Sequence, residues 1–384
     1  MKDKKQNKRI NGGHRLLFFC ILCLFGLYVA VSYAEEQPQR EQSKTKVILL
    51  HTDNLTYDQY RHPGAQILTG NVQFQHDGVL MYCDSACFYE ATNSFDAFGH
   101  VKMVQGDTLD LVGDMLLYNG LDQLARVRHN VVLTHRESKL YTDSLDYDRL
   151  YELGYFFEGG KLVDKDNVLT SDWGQYSPPT RQAVFNYNVK LENPKFTLIS
   201  DTLNYNTLTS MAEIVGPSNI DSGDNHIYSE SGFYNTQTEE AILLDRSIVT
   251  NKGRKMVGDS LYYDSKSGVG EGFRNVVYTD EVNKNMLTGN YCYYNDSTGY
   301  SMATDSAVAI DYSQRDTMYM HADTFKVYTF YMDTAKSGAI TRCVPTVWMS
   351  NRFATLWCSI RVILASRCTV TLSYGTAGSK YWER

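Results

Sequence analysis

An acidic residue recurs inside the same short phrase about every 29 residues along this chain. Six evenly spaced copies begin with LVGDMLLYN and LYTDSLDYD and end with MVGDSLYYD, and an earlier copy, MYCDSACFY, precedes them. Two drifted copies follow, LTGNYCYYN around Asn290 and then MHADTFKVY. Self-similarity at a fixed period of this length is typical of stacked repeats in which neighbouring units bury one another. The acids of the repeat are Asp84, Asp114, Asp143, Asp172, Asp201, Glu230, Asp259 and Asp323.

Each period has the composition of a pair of β-strands. Tyr is abundant, at 29 residues, and Pro is scarce, at 7, and aromatic and β-branched side chains fit a pleated, half-buried surface. In residues 125–153, two β-type stretches, ARVRHNVVLT and KLYTDSLDYD, are separated by the polar HRES. No segment of useful length has helical periodicity. The sequence therefore predicts an all-β, elongated repeat array over residues 47–335.

The apolar residues of the acidic phrase change parity midway. Leu140 precedes Asp143 by three residues, whereas Leu145 follows it by two. Because side chains alternate across a strand, Leu140 and Leu145 can share one core only if the strand has a bulge or bend between them. We expect this break at Asp114, Asp143, Asp201 and Asp259.

The row of acids is interpreted as structural. A short side chain that bonds nearby backbone suits the step where a strand breaks. The functional alternative is a row of calcium-binding or catalytic carboxylates. Calcium-binding β-rolls need GGxGxD nonapeptides, which are absent from this sequence. No partner of shifted pKa is evident for acid–base catalysis.

Residues 1–34 have the features of a secretory signal peptide. Six basic residues precede the apolar stretch LLFFCILCLFGLYVAV, and the triplet SYA forms a small-x-small cleavage site. An uncleaved membrane anchor is the alternative. Residues 35–46 are predicted to be a linker. Without residues 1–34 the net charge is −12, and no basic patch suits nucleic acid, which requires clustered Lys and Arg.

Cysteine and histidine point to no metal or catalytic centre. Cys83 and Cys87 lie on one predicted strand without a CxxC pair, so neither a disulfide nor a zinc site is expected. Six histidines of the repeats lack Ser or Cys partners, and we expect surface or turn positions for them. The sequence therefore predicts no catalytic residue, metal or cofactor, and no enzyme. These histidines are His51, His62, His76, His100, His129 and His135.

The phrases ILTGNVQF (residues 67–74), DAFGHVKM (residues 96–103), DSLDYD and DSLYYD resemble the OstA-like repeats of the LptA-type lipopolysaccharide-transport periplasmic family. The resemblance covers about residues 47–331 and extends to the order and spacing of the phrases. It implies an elongated, open β-jellyroll with an apolar interior for acyl chains. It also implies a location in the Gram-negative periplasm, in a bridge that carries lipopolysaccharide to the outer membrane.

This chain is much longer than the short bridge protein of that family and is net acidic. Three alternatives therefore stay open: the bridge itself, an outer-membrane-associated component, or an envelope protein with another lipid. Open sheet edges at both ends favour assembly with other β-jellyroll components by strand addition.

Two functions fit these features. The first is non-enzymatic binding and transport of lipopolysaccharide or a related lipid, and the second is a saccharide-binding or adhesive β-solenoid. A lipid carrier needs large apolar residues around an accessible interior. A saccharide binder needs a tight core and outward aromatics beside carboxylates. The candidate lining residues of the lipid site are Val72, Phe74, Leu116, Leu145, Leu203 and Leu261.

Residues 336–384 differ from the repeats. They contain no Asp, seven Lys or Arg residues and three of the four Trp residues. In a shifted reading frame, codons compatible with residues 353–360 and 374–384 restore the repeat phrase at its period. This segment is interpreted as frameshifted or disordered, and a genuine basic extension is the alternative.

Overall fold

The computed structural model describes residues 45–330 and 342–348, which are almost entirely β-strand. One 3-10 turn, Glu90–Thr92, interrupts them. No helix in this described part is long and apolar enough to cross a membrane. The predicted signal peptide at residues 1–34 lies outside the described residues. So does most of the atypical segment 336–384, from which only residues 342–348 are described, as a strand.

The strands pair with one another antiparallel in one continuous sheet. Most long strands have eleven or twelve residues, which is longer than the usual strand of a globular protein. In chain order they are β1 Ile48–His51, β2 Asn54–Tyr57, β3 Gln66–His76, β4 Val79–Tyr89, β5 Ser94–Gln105, β6 Leu109–Asn119, β7 Leu124–His135, β8 Ser138–Asp148, β9 Leu153–Phe156, β10 Gly160–Asp164, β11 Asn167–Ser171, β12 Trp173–Ser177, β13 Gln182–Asn193, β14 Phe196–Asn206, β15 Met211–Ser222, β16 Asn225–Asn235, β17 Glu240–Leu244, β18 Ile248–Asn251, β19 Arg254–Val257, β20 Ser260–Asp264, β21 Val269–Asp280, β22 Asn285–Asn295, β23 Tyr300–Asp311, β24 Met318–Phe330 and β25 Arg342–Trp348.

A break in the pairing register divides each long strand near its middle. Residues 99–100 of β5 lie opposite the single residue Asp114 of β6, and residues 129–130 of β7 lie opposite Asp143 of β8. All four of these inserted residues have positive φ, between 43° and 75°. Two residues against one is a β-bulge, and it bends the strand that carries it.

The alternation of buried and exposed residues along the strand shifts by one position at the same place. In β8, Leu140 is buried before the exposed Asp143, and Leu145 and Tyr147 are buried after it. The break lies where the apolar pattern predicts it, at Asp143 and likewise at Asp114, Asp201 and Asp259. The extra residues, however, belong to the neighbouring strand and not to the acidic one.

The bend brings the two halves of the strands face to face. Phe74, after the bend of β3, stacks on Phe95, before the bend of β5, with ring centroids 4.1 Å apart. Tyr278 of β21 and Tyr294 of β22 approach in the same way, at 5.2 Å. The buried side chains form one apolar cluster from Val47 to Phe325. The predicted fold class, an elongated β-jellyroll of stacked strand pairs, is confirmed.

The turns between strands form two rows, one at each end of the bent strands. We call them row one and row two, and together they flank the mouth that lies opposite the bend. Row one contains the turns at residues 77–78, 106–108, 136–137, 165–166, 194–195, 223–224, 252–253 and 281–284. Row two contains the turns at residues 90–93, 120–123, 149–152, 178–181, 207–210, 236–239, 265–268 and 296–299.

Candidate functional site: an apolar interior closed by a polar seam

The six residues predicted to line the interior all lie in the core. Each of them is at most 1% exposed, and they belong to the same apolar cluster. The interior is therefore apolar along the repeats and is filled by side chains in this structure. The lining residues are Val72, Phe74, Leu116, Leu145, Leu203 and Leu261.

The repeat acids lie outside the bend, and Asp84, Asp114, Asp172 and Asp259 accept hydrogen bonds from inserted residues of the next strand. Asn130 Nδ2 donates to Asp114 Oδ2 at 2.7 Å, and Asn275 Nδ2 donates to Asp259 Oδ2 at the same distance. Asp172 accepts the equivalent bond from Asn188, at 2.6 Å. Asn tolerates positive φ better than most residues. The acid thus fixes a side chain whose backbone makes the bend, which supports the structural interpretation.

Two further repeat units have the same contact. Asn71 Nδ2 donates to Asp53 Oδ2 at 3.0 Å, at the break between β1 and β2. Sequence reasoning missed this unit, although the phrase HTDNLTYD places Asp53 31 residues before Asp84. In the drifted copy the two side chains have changed strands, since Asn290 Nδ2 donates to Asp305 Oδ2 at 3.0 Å.

Buried tyrosines close the mouth between the two turn rows. They follow the repeat acid, or Asn290, by four residues, stand at the strand ends next to row two and are at most 6% exposed. Five of them form hydrogen bonds with residues at row one that lie 38 to 42 positions earlier in the sequence. We call these contacts the seam. Its five tyrosines and their partners are Tyr118 with His76, Tyr176 with His135, Tyr205 with Asp164, Tyr263 with Asn225, and Tyr294 with Arg254.

Side chains, and not strand pairing, hold the seam together. The backbone hydrogen bonds of the turns run along one row, as from Thr236 N to Ser210 O in row two, at 2.9 Å. Within residues 45–330, no backbone–backbone hydrogen bond joins row one to row two. The bend, by contrast, is crossed by covalent chain in every strand. The mouth is therefore the side of the jellyroll that can separate without breaking a β-ladder.

At one end of the seam, Arg149 reaches from row two to the end of β3. It donates to the Tyr118 hydroxyl and to His76 O at 3.1 Å. Tyr118 donates in turn to His76 Nδ1, at 2.7 Å. Burial lowers the pKa of His76, which keeps the imidazole neutral at pH 7. His76 and His135 were expected on the surface or in a turn. Both lie at a strand end directly before a turn of row one, but they are buried, so a surface position is wrong for these two histidines.

Farther along the seam, Arg254 carries a buried charge that is fully paired. Its Nε lies 3.2 Å from Asp280 Oδ2, and its Nη1 contacts Asp296 and donates to Tyr294 OH at 2.8 Å. Burial raises the pKa of Tyr294, so its hydroxyl stays protonated. A buried charge left without these partners would be strongly destabilising.

The cysteines of the repeats are core residues. Cys83, Cys87 and Cys292 are free and buried. Burial raises the pKa of Cys83 and of Cys292 to about 12, which keeps both thiols protonated at neutral pH. Among the residues that the structure describes, no three His, Cys, Asp or Glu side chains are placed to hold a metal ion.

The sequence of the repeats matches a known family. The family profile for OstA-like protein matches residues 44–201 and 197–259, which is more than half of the chain. The chain belongs to the OstA-like family. No curated protein matches this OstA-like chain.

Solved structures also match parts of the OstA-like chain. One is LptH, described as the LptA homologous periplasmic component of the conserved lipopolysaccharide transport device from Pseudomonas aeruginosa. The two sequences are 16% identical, and the TM-score is 0.27. The match covers 28% of this chain and 82% of the LptH chain.

Proposed function

We propose that this OstA-like chain is a non-enzymatic lipid-binding protein that takes part in lipopolysaccharide transport and outer-membrane assembly. The location that we propose is the periplasm, in association with the outer membrane. The observation that carries the proposal is the apolar interior, whose buried side chains form one cluster from Val47 to Phe325. Membership of the OstA-like family supports the same function.

Acyl chains would reach this interior by parting the seam. The interior is closed, so an acyl chain must replace the contacts that the two strand halves make with each other. Each buried methylene contributes roughly 0.8 kcal/mol, whereas one seam hydrogen bond contributes about 0.5–1.5 kcal/mol net. The acyl chains of one lipid therefore supply enough free energy to offset several seam contacts.

The partners we propose are other β-jellyroll components, joined by strand addition. β1 and β2 both pair with β3, one on each side of its bend. They expose Ile48, Leu50 and Tyr57, which are 54%, 48% and 67% accessible. An exposed apolar edge is a template for another strand.

Photo-crosslinking tests the lipid proposal. A crosslinking residue in place of Leu145 or Leu203 should capture lipopolysaccharide, because both side chains point into the interior. Lys139 lies on the same strand as Leu145, and Lys190 lies on the strand next to that of Leu203. Both lysines are exposed, so crosslinkers there should capture little. Equal labelling of the interior and exposed positions contradicts the proposal.

One observation favours the saccharide-binding alternative. The core is tightly filled, and Tyr141, Phe157 and Tyr187 are at least 39% exposed near the acids of the bend. Aromatic faces beside carboxylates suit sugar rings. If a soluble oligosaccharide protects a crosslinker at Tyr187 while Leu145 captures no lipid, saccharide binding replaces lipid transport as the function.

A further inference from the structure

A small apolar cavity beside two tyrosines of the seam, Tyr263 and Tyr294, lies next to a polar cleft. The cavity has a volume of about 20 Å³ and is lined mainly by apolar groups, among them Met256, Tyr263 and Gly270. The cleft measures about 380 Å³ and is lined by polar residues of both turn rows. Asn251, the last residue of β18, lines the cavity and the cleft.

Asn251 carries a buried acceptor without a donor. Its side chain is buried, and Oδ1 has no hydrogen-bond partner among the described residues. The neighbouring bonds fix its orientation. Asn225 donates to Ser265 Oγ at 3.3 Å and accepts from Tyr263 OH at 3.1 Å. The Tyr263 oxygen can therefore accept from Asn251 Nδ2, at 3.4 Å, so the amide oxygen Oδ1 is the atom left without a partner.

Leaving a buried acceptor unpaired costs about 1–3 kcal/mol. Such a group marks a place where a ligand can supply the missing donor. The nearest space on one side is apolar and on the other side polar. A ligand that satisfies Asn251 is therefore expected to have an apolar part and a polar part joined near an N–H or O–H donor.

The cleft offers donors and acceptors together. Lys252 and Lys266 provide ammonium groups, Asp224 and Asp296 provide carboxylates, and Ser265 provides a hydroxyl. Lys252 Nζ lies 3.7 Å from Asp296 Oδ2, so part of this charge is already balanced. A hydroxyl group both donates and accepts, and it fits such a mixed lining better than a bare anion does.

We propose that this junction is the entry and binding site for an acylated sugar. The sugar hydroxyls lie in the cleft, and the amide N–H or hydroxyl at the base of an acyl chain donates to Asn251 Oδ1. The acyl chain passes beside Tyr263 into the cavity and widens it. This inference rests on the proposed lipid-binding function and assigns it a location and a ligand class.

Two substitutions test the site at the cost of one long hydrogen bond, the one from Asn251 Nδ2 to Tyr263 OH at 3.4 Å. Asn251→Leu eliminates the unpaired acceptor, so the melting temperature should be unchanged or higher, whereas a structural Asn would lower it. Gly270→Ala adds a methyl group that meets Tyr263 Cδ2 at 3.7 Å and Met256 Cε at 3.9 Å, and so it fills the cavity without a clash. Both variants should bind purified rough-type lipopolysaccharide about tenfold more weakly than the unaltered protein.

Gly154→Ala is the matched control. Gly154 pairs with Tyr147 as Gly270 pairs with Tyr263, and an added methyl group there meets Leu145 Cδ1 at 3.4 Å. This variant should keep its affinity for lipopolysaccharide. The delipidated core oligosaccharide should bind at least tenfold more weakly than intact lipopolysaccharide.

Unchanged affinity in Asn251→Leu and Gly270→Ala overturns the entry site, and continued capture of lipid at Leu145 would show that the proposed function stands without it. Equal affinity for the delipidated oligosaccharide also overturns the site, because the acyl chain then has no role. If the unaltered protein neither binds nor captures lipopolysaccharide, the proposed function fails, and the entry site fails with it.

Discussion

The tyrosines that close the mouth differ in the hydrogen-bond partners of their hydroxyl groups. Tyr205 OH donates to the buried Asp164 Oδ2 at 2.8 Å and accepts from Asn167 at 2.9 Å. Tyr147 is just as buried, but its hydroxyl has no partner among the described residues. Tyr205→Phe should therefore destabilise the protein by about 1–3 kcal/mol, whereas Tyr147→Phe should be neutral or stabilising. Urea denaturation of the two variants measures the difference.

The comparison is controlled by its geometry, since both substitutions remove one oxygen from the same position of two repeats. Equal destabilisation by Tyr147→Phe and Tyr205→Phe would show that the hydroxyl contacts described for the seam do not hold it closed.

Two buried histidines make the seam sensitive to acid. Burial lowers the pKa of His76. The carboxylate of Asp77 raises this pKa, and the guanidinium of Arg149 lowers it. Burial, Arg136 and Arg181 lower the pKa of His135. Both imidazoles bind a proton more readily in the unfolded chain, so stability is complete above about pH 6.5 and falls as the pH drops through the lowered values. Urea midpoints should decrease between about pH 7.5 and pH 5.5.

The His135→Gln variant should show a shallower decrease, because Gln can bond Tyr176 without titrating. The contribution of His100 to stability has the opposite pH dependence. Its hydrogen bond to Asp84 raises the pKa, so its contribution is present at low pH and is lost as the pH rises. A His100→Gln variant with the same shallow profile as His135→Gln would contradict the assignment to the seam.

At the scale of the strand, the bend depends on two residues of positive φ and the acid that faces them. Asn130 has a φ of 51° and donates to Asp114. Asn130→Ala should cost roughly 1–2 kcal/mol, because Ala is strained at positive φ and the bond to Asp114 is lost. Asn130→Gly should cost less, since Gly adopts positive φ freely. Chemical denaturation compares them, and a larger loss for Gly would mean that backbone strain is not the deciding factor.

The sequence was sufficient to predict this strand but not its partner. Leu140 and Leu145 imposed a break at Asp143, because alternation admits no other way to bury both. The inserted residues could not be located, since they include such different pairs as residues 99–100, 129–130 and 274–275. Their shared property is a backbone angle, and apolar periodicity carries no signal for it.

At the scale of the whole molecule, we expect lipid uptake to require that the two turn rows separate and the mouth opens. Lys195 of row one lies 2.7 Å from Glu239 of row two, measured from Nζ to Oε1. Lys195→Cys and Glu239→Cys, in a chain whose other accessible cysteines are serine, can be joined by a bis-maleimide. The joined protein should lose lipopolysaccharide uptake, and the unjoined double variant should keep it.

A second pair controls for the chemistry of crosslinking. Thr108 and Arg136 both lie in row one, where Arg136 N donates to Thr108 O at 3.0 Å. Joining cysteines at these positions ties one row to itself and should leave uptake unchanged. Full uptake by the protein joined through positions 195 and 239 would exclude entry through the mouth.

The stacked architecture and the apolar interior were both accessible to prediction, because they repeat. The closed mouth was not, since the tyrosines recur but their partners do not. Tyr118, Tyr205 and Tyr294 appear in the sequence as equivalent apolar positions. Their hydroxyls are bound by His76, Asp164 and Arg254, a set that no period of 29 residues reveals.

The variety of those partners has a consequence for alignment. Nearly identical repeats give the two facing layers little reason to prefer one register over another displaced by a whole unit. The five tyrosines, however, are matched to four kinds of chemical group: imidazole twice, and carboxylate, amide and guanidinium once each. A displacement by one unit would set Arg254 beside the wrong unit and away from Tyr294 and Asp296 of the other layer. The polar contacts of the seam thus favour one register of the two layers over registers that are displaced by a whole unit.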